Sequence, residues 1–414
     1  MKNKPLENDQ PRELADYFFR HSYGKMVAVL TRYFGLAQIE TAEDIVQDAL
    51  VEAMEKWSIC DIPDNPGGWL MDVARKKTIN YLKRNQLLRS KVMQEQDQNT
   101  LVFQQETEDD STLRLIFACC HPDLNSEAQI TLALKTLCGL SIKEIASALL
   151  TSEITINKRL YRSKKKFKSG QISFDSPAIE MLDERVSNVA STLYLLFNEG
   201  YLSDQRKSPI RMDLCFEAIR LLKQVISSFP DYSRLKALLA LMLFSVARFE
   251  ARFNDKHGLI ILEDQDREKW DHSLIAEGMQ NLSESKESNQ ISKYHMLAGI
   301  AAEHCLANNF ESTNWKSIHW QYRILEQMNN NVVLQFNRCI AEFFLGKQQE
   351  ALTEVLTLES NSKLNRSRYY HTVGYFYSKL KNKVSAKKYY QKAISFSQSD
   401  TEKALIKKRL SLIS

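Results

Sequence analysis

Between Ile154 and Lys168 the chain carries amide, hydroxyl and cationic side chains and no acid: Thr155, Asn157, Lys158, Tyr161 and Arg162, then Lys164, Lys165, Lys166 and Lys168. That set suits nucleic acid, since asparagine pairs with adenine edges, arginine or lysine with guanine, and lysine neutralises phosphate. A lysine-rich helix end is equally an ordinary solvated one, so the run alone decides nothing. A second set spans Arg75 to Lys91, where seven basic residues and no acid are interleaved with Asn80, Tyr81 and Asn85. There Lys76, Lys77, Asn80, Lys83 and Arg84 could grip phosphates while amide and aromatic groups hold unpaired bases. A third set, Asp44, Gln47, Asp48, Glu52 and Glu55, shares one side of a helical repeat and reads by default as a solvated face.

Two further clusters invite a catalytic or metal reading. In Leu262–Asp271, Glu263, Asp264, Asp266 and Asp271 stand beside Arg267 and Trp270. Carboxylates could ligate a metal or transfer protons, yet the calcium-loop glycine is missing and no His or Cys accompanies them. An ion-pair network fixing the loop, with Arg267 as internal partner, is the preferred reading, an interdomain contact the second and catalysis the third. Cys119, Cys120 and His121 have no companions at zinc spacing, and the apolar LRLIF before them marks buried thiols. No metal, cofactor or catalytic residue is therefore expected, and no P-loop or nucleophile triad is present.

Those sets need helices to position them. Ile142, Ile145, Ala146 and Leu149 repeat with helical period, and Ile156, Leu160, Ser163 and Phe167 repeat it again, which predicts a helix-turn-helix. Ser152 can cap the second helix, with Glu153 in its first turn, while Leu150 occupies a turn position where glycine is common. Upstream, Glu13 to Phe34 reads as a helix turning Leu14, Tyr17, Phe18, Val27, Leu30 and Phe34 inward, with a bend near Gly24. A helix from about Thr41, capped by that residue, buries Ile45, Ala49, Ala53 and Trp57. After a loop over Ser58–Asn65, Asn65 and Pro66 start a third helix with Trp69, Leu70, Val73, Ala74 and Tyr81 available to the core. From Glu95 to Asp110 there are six acids and no base, the composition of a linker.

With 414 residues, of which 43% are hydrophobic and 26% charged, and only 12 Gly and 8 Pro, an all-α chain of two or three domains is expected. A net charge of +5 is small for this length, so a nucleic-acid surface must be local. Seven cysteines without a CxxC pair fit reduced thiols, the first residues lack an apolar leader, and Ala237–Val246 is too short to span a bilayer. Those features point to a cytoplasmic protein without membrane attachment.

The order of an acidic-faced helix (AEDIVQDALVEAMEKW), a loop, a helix turning basic (NPGGWLMDVARKKTINYLKR), an acidic linker and a helix-turn-helix resembles a bacterial sigma factor of the extracytoplasmic-function group. The resemblance covers about the first 170 residues and implies core RNA polymerase and promoter DNA as partners. It implies that Asp44, Gln47 and Asp48 contact polymerase, and that Lys76, Lys77, Asn80, Lys83 and Arg84 melt and capture the −10 element. It implies further that Thr155, Asn157, Lys158, Tyr161, Arg162 and Lys165 engage the −35 element in the major groove. Residues 1–90 would be the region-two domain, 91–111 a linker and 112–170 the region-four domain.

LRLIFACCHPDLNSEAQITLALKTLCGLS resembles one subgroup whose chains carry a long C-terminal extension, here 175–414. Helical periods run through SNVASTLYLLFNEGY, from about Met212 to Phe229, and through SRLKALLALMLFSVARFEARF. Tyr370, Val373, Gly374, Tyr377, Ala386, Tyr390 and Ala393 match the small-and-large pattern of a tetratricopeptide repeat, and Ala351 stands 35 residues before Ala386. Up to about Ile324 no repeat is visible and an ordinary bundle is the alternative. The extension is expected to regulate the promoter-binding module in cis and to take a protein or peptide partner, with Asp264, Asp266, Arg267 and Trp270 as its candidate contact. Two other classes stay open: a helix-turn-helix regulator working without polymerase, and an enzyme with a cleft around Asp264, Asp266 and Glu199.

Overall fold

The computed structural model describes residues 10–57, 62–90, 108–149, 151–201, 212–254, 258–287, 290–398 and 400–413. Expectations for Leu150, Ser58 to Asp61, the 91–107 linker, the basic residues Arg89 and Lys91 and the inward side chains of Leu14, Tyr17 and Phe18 lie outside what is described. The chain forms two compact units, Met1–Glu199 and Gly200–Ser414. Its described residues are helical apart from one minimal hairpin, so the all-α class holds.

In the first unit α1 (Gln10–Phe34) packs on α2 (Ile39–Trp57) and α3 (Pro66–Ser90). Tyr23, Met26, Val27, Leu30 and Phe34 of α1 are buried. Gly24 does not end the helix; a Cβ there would stand 2.3 Å from the Leu137 carbonyl oxygen, so its absence lets two backbones touch. Gly35, at φ 76, stops α1, and a short turn over Leu36–Gln38 leads straight into α2. Thr41 therefore lies inside α2 instead of capping it. The expected apolar side of α2 is buried, and Trp57 meets Trp69 at 5.6 Å between ring centroids. Asn65 caps α3 by accepting from the Gly68 N–H at 2.9 Å. Tyr81 departs from expectation: it is 37% exposed, its ring set perpendicular to that of Phe34 with 5.6 Å between centroids.

Four helices follow, α4 (Glu108–Cys119), α5 (Ser126–Leu132), α6 (Ile142–Ala148) and α7 (Glu153–Lys168). Helix α4 begins within the acidic stretch expected as linker, at Glu108. Ser141 and Glu144 close a capping box on α6, and Ser152 accepts from the Thr155 N–H at 3.2 Å to cap α7. Helix α4 packs on α1, bringing the two expected DNA-binding domains together. Then α8 (Leu182–Tyr201) adds to the same unit as far as Glu199, its last two residues belonging to the second. Arg185 donates to the Phe117 carbonyl at 2.8 Å and Thr192 to the Gln129 side chain at 2.9 Å. Leu115, Ile116, Phe117 and Leu193 are all buried, and each such side chain contributes about 1.5–3 kcal/mol.

The second unit continues with α9 (Met212–Ser228), α10 (Ser233–Val246) and α11 (Phe249–Arg252). A hairpin pairs β1 (Phe253–Asn254) with β2 (Gly258–Leu259), Phe253 opposite Leu259. Next come α12 (His272–Glu284), α13 (Lys293–Leu306), α14 (Trp315–Met328), α15 (Val332–Phe344), α16 (Gln348–Thr357), α17 (Arg366–Lys379), α18 (Lys383–Phe396) and α19 (Asp400–Ser411). Apolar nearly all round, α10 is sheathed by α9, α12 and α13. The repeat pattern appears as packing: a Cβ on Gly374 would lie 2.9 Å from the Tyr390 ring, and Ala351, Ala386 and Ala393 are fully buried. Phe343 and Phe376 stack at 3.9 Å. Helices α13 and α14 also approach through a glycine, since a Cβ on Gly299 would stand 2.0 Å from the Gln321 side-chain oxygen.

Candidate nucleic-acid interface

Helix α7 buries Ile156, Leu160, Ser163 and Phe167 and turns Asn157, Lys158, Tyr161, Arg162 and Lys165 outward. Tyr161 is 72% exposed. Thr155 sits half-buried at the edge of this face, its hydroxyl 2.9 Å from that of Ser152, and so works first in the cap. The basic run divides into two jobs that the sequence did not separate. Arg159 pairs with Glu127, Lys166 donates to the Asp123 carbonyl, Lys164 lies 2.9 Å from Glu43 and Lys168 3.0 Å from Glu40. No described residue forms a hydrogen bond or ion pair with Lys158, Arg162 or Lys165, and these keep their donors for a ligand.

Glu43 is the residue sequence reasoning missed. It is 4% exposed on α2, accepts from the Thr136 hydroxyl at 2.9 Å and meets Lys164. A signal was there: Glu43 falls on the apolar stripe of α2, between Ile39 and Val46. This contact fixes α7 on α2 while the outward face of α7 stays open to a groove. Hydrogen bonds from Lys168 outweigh partial burial and hold the Glu40 carboxyl below its usual range.

Asp44, Gln47 and Asp48 are exposed on α2, as expected. Glu52 is partly withdrawn from that acidic face, since Lys56 and Lys77 lie 2.8 and 3.0 Å from it and their hydrogen bonds lower its pKa. Lys77 thus starts paired, while Lys76, Asn80, Lys83 and Arg84 are exposed along α3.

In the second unit the Glu263–Asp271 segment is held by its own unit. Glu263 accepts from the Tyr375 hydroxyl at 3.0 Å, and Asp264 pairs with Arg409 at 2.8 Å, so their partner is Arg409 and not Arg267. Asp266 and Asp271 cap helical turns, and Trp270 is 3% exposed. Cys119 and Cys120 are buried free thiols, burial pushing Cys120 up to about 12. No His, Cys, Asp and Glu group able to hold a metal occurs among the described residues. No helix among them is long and apolar enough to cross a membrane.

A helical domain with an acidic face and a basic helix, joined to a capped helix-turn-helix with an outward cationic face, defines a promoter-recognition subunit. Residues 18–87 match sigma-70 region 2 and residues 114–167 match sigma-70 region 4. Residues 185–286 match a family of unknown function, DUF6596. An uncharacterized protein of Rhizobium meliloti (strain 1021) is 31% identical over 395 residues, covering 93% of this chain and 92% of its own length. No solved structure matches. The chain belongs to the extracytoplasmic-function group of RNA polymerase sigma factors, in the kind that carries a C-terminal helical extension. Core RNA polymerase and promoter DNA are accordingly its partners, and sigma families are not enzymes.

Proposed function

We propose that the sigma factor divides its work among three helices and that its extension regulates them in cis. Asp44, Gln47 and Asp48 of α2 dock on core polymerase. Lys76, Lys77, Asn80, Lys83 and Arg84 of α3 melt and hold the −10 element, Lys77 exchanging Glu52 for phosphate. Asn157, Lys158, Tyr161 and Arg162 of α7 read the −35 element, with Thr155 at the edge and Lys165 on its backbone. The observation that carries this reading is the split of the α7 cations into a braced set and an outward set. On this reading residues 1–90 and 112–170 are the two DNA-binding domains, 91–111 join them and 175–414 form the regulatory extension.

Tethering supports regulation in cis, because a linked domain meets its partner at an effective concentration near millimolar for short flexible linkers. A peptide or protein partner for the helix pairs is part of the same proposal. The truncation that tests it must keep α8, since Arg185 and Thr192 belong to the packing of the first unit. A chain ending at Tyr201 and the full-length chain, compared at equal concentration with core polymerase, should differ strongly in promoter output. Equal output from the same promoters would make the extension an independent domain.

A further inference from the structure

The second unit gathers three arginines that form no ion pair with a carboxylate among the described residues. Arg248 follows α10, Arg252 ends α11, Arg267 and Trp270 belong to the acidic segment, and His304 lies on α13. Arg248 donates to the Tyr201 hydroxyl at 3.1 Å, and the Arg252 guanidinium lies 4.0 Å above the same ring. Over Trp270, Arg267 stands at 4.5 Å and Arg248 at 6.0 Å. Arg267 also donates to the His304 and Ala307 carbonyls at 2.5 and 2.7 Å. These contacts leave Arg248 Nε, Arg252 Nη1, Arg267 Nη2, Trp270 Nε1 and His304 Nδ1 buried with no hydrogen-bond partner.

Native proteins orphan few buried polar atoms, and each unmet donor is a cost that a bound acceptor removes. Here the charges also repel one another. Arg248 acts against the charge of Arg252, of Arg267 and of a protonated His304, and Glu311 adds a weaker opposing influence on Arg267. Burial followed by those two arginines holds the His304 imidazole down at about 3. An anion seated among these groups would answer the repulsion and the orphaned donors together, and the guanidinium fork matches the oxygens of phosphate or carboxylate.

We propose that the second unit binds a small oxyanion, a phosphate- or carboxylate-bearing molecule, among Arg248, Arg252, Arg267, Trp270 and His304. Arginines already cover the faces of Tyr201 and Trp270, so recognition is by charge and acceptor atoms and not by stacking. The buried donors exclude duplex DNA and select a ligand of metabolite size. This inference stands on the cluster alone and is independent of regulation in cis.

The test uses the full-length protein, titrated at constant ionic strength with inorganic phosphate, with succinate and with chloride, the thermal midpoint being followed. A specific ligand raises the midpoint as its concentration passes Kd. A rise with phosphate only assigns a phosphoryl ligand, and a rise with succinate only a carboxylate. Arg252→Lys and Arg248→Lys keep the charge but lose the fork, and each should weaken binding at least tenfold. Should either variant fail to fold, the wild-type titration with a one-site fit still decides. No shift with phosphate or succinate, the same shift with chloride, or unchanged affinity in folded variants would overturn the proposal.

Discussion

Lys164 is paired with Glu43 while its neighbour Lys165 is exposed, and the consequence of that difference can be measured. If Arg162 reads a base, Arg162→Ala should cost about 1–3 kcal/mol and relax preference at one −35 position. Lys165→Ala should weaken every sequence alike and reduce the salt slope by about 1. Competition binding on a library of single-base promoter variants separates the two, and indistinguishable profiles would remove the assignment. Lys164→Ala belongs to stability instead. Its side chain is 12% exposed and that of Glu43 5%, and removing one partner of a buried pair costs about 3–5 kcal/mol. Urea unfolding should register that loss, while an unchanged midpoint would mean the contact is incidental. The sequence displayed the cations but not their division, because that depends on Glu43, 121 residues away along the chain. Only its place on an apolar stripe hinted at burial.

Among elements, the two helices of the helix-turn-helix were readable from their local periods and the Ser152 cap before Glu153, while the Ser141–Glu144 capping box went unread. Where tertiary contacts overrode local signals, reading failed. Thr41 had cap chemistry, but the turn after Gly35 feeds α2 two residues earlier, and the close backbone approach at Gly24 depends on Leu137, which no local signal indicates. For α2 the decisive variant is Asp48→Lys. Exposed substitutions away from caps seldom move stability by more than about 0.5 kcal/mol, so the fold should persist while co-purification with core polymerase is lost. Retained co-purification would take this face out of the interface.

At the scale of the whole molecule, the second unit should respond to acid through two buried imidazoles. Burial, then Arg248 and Arg267, holds His304 at about 3, and burial followed by Arg409 holds His371 at about 4. Both folded values lie below the ordinary 6.5, so the unfolded chain takes up these protons first. Their contribution is complete above that value and is lost as pH falls through it toward 4 and then 3. The thermal midpoint of the second unit should therefore drop between pH 7 and pH 5, and a flat profile would show that neither imidazole is held neutral.

Helix α7 is proposed to direct core polymerase through its outward face. Transcription reconstituted from bacterial core polymerase and the full-length protein, on genomic DNA fragments with start sites mapped, tests it most directly. The expected result is initiation at a restricted set of sites sharing a −35 sequence, with Arg162→Ala changing which sites are used. Initiation that is absent, scattered, or indifferent to Arg162→Ala would contradict it.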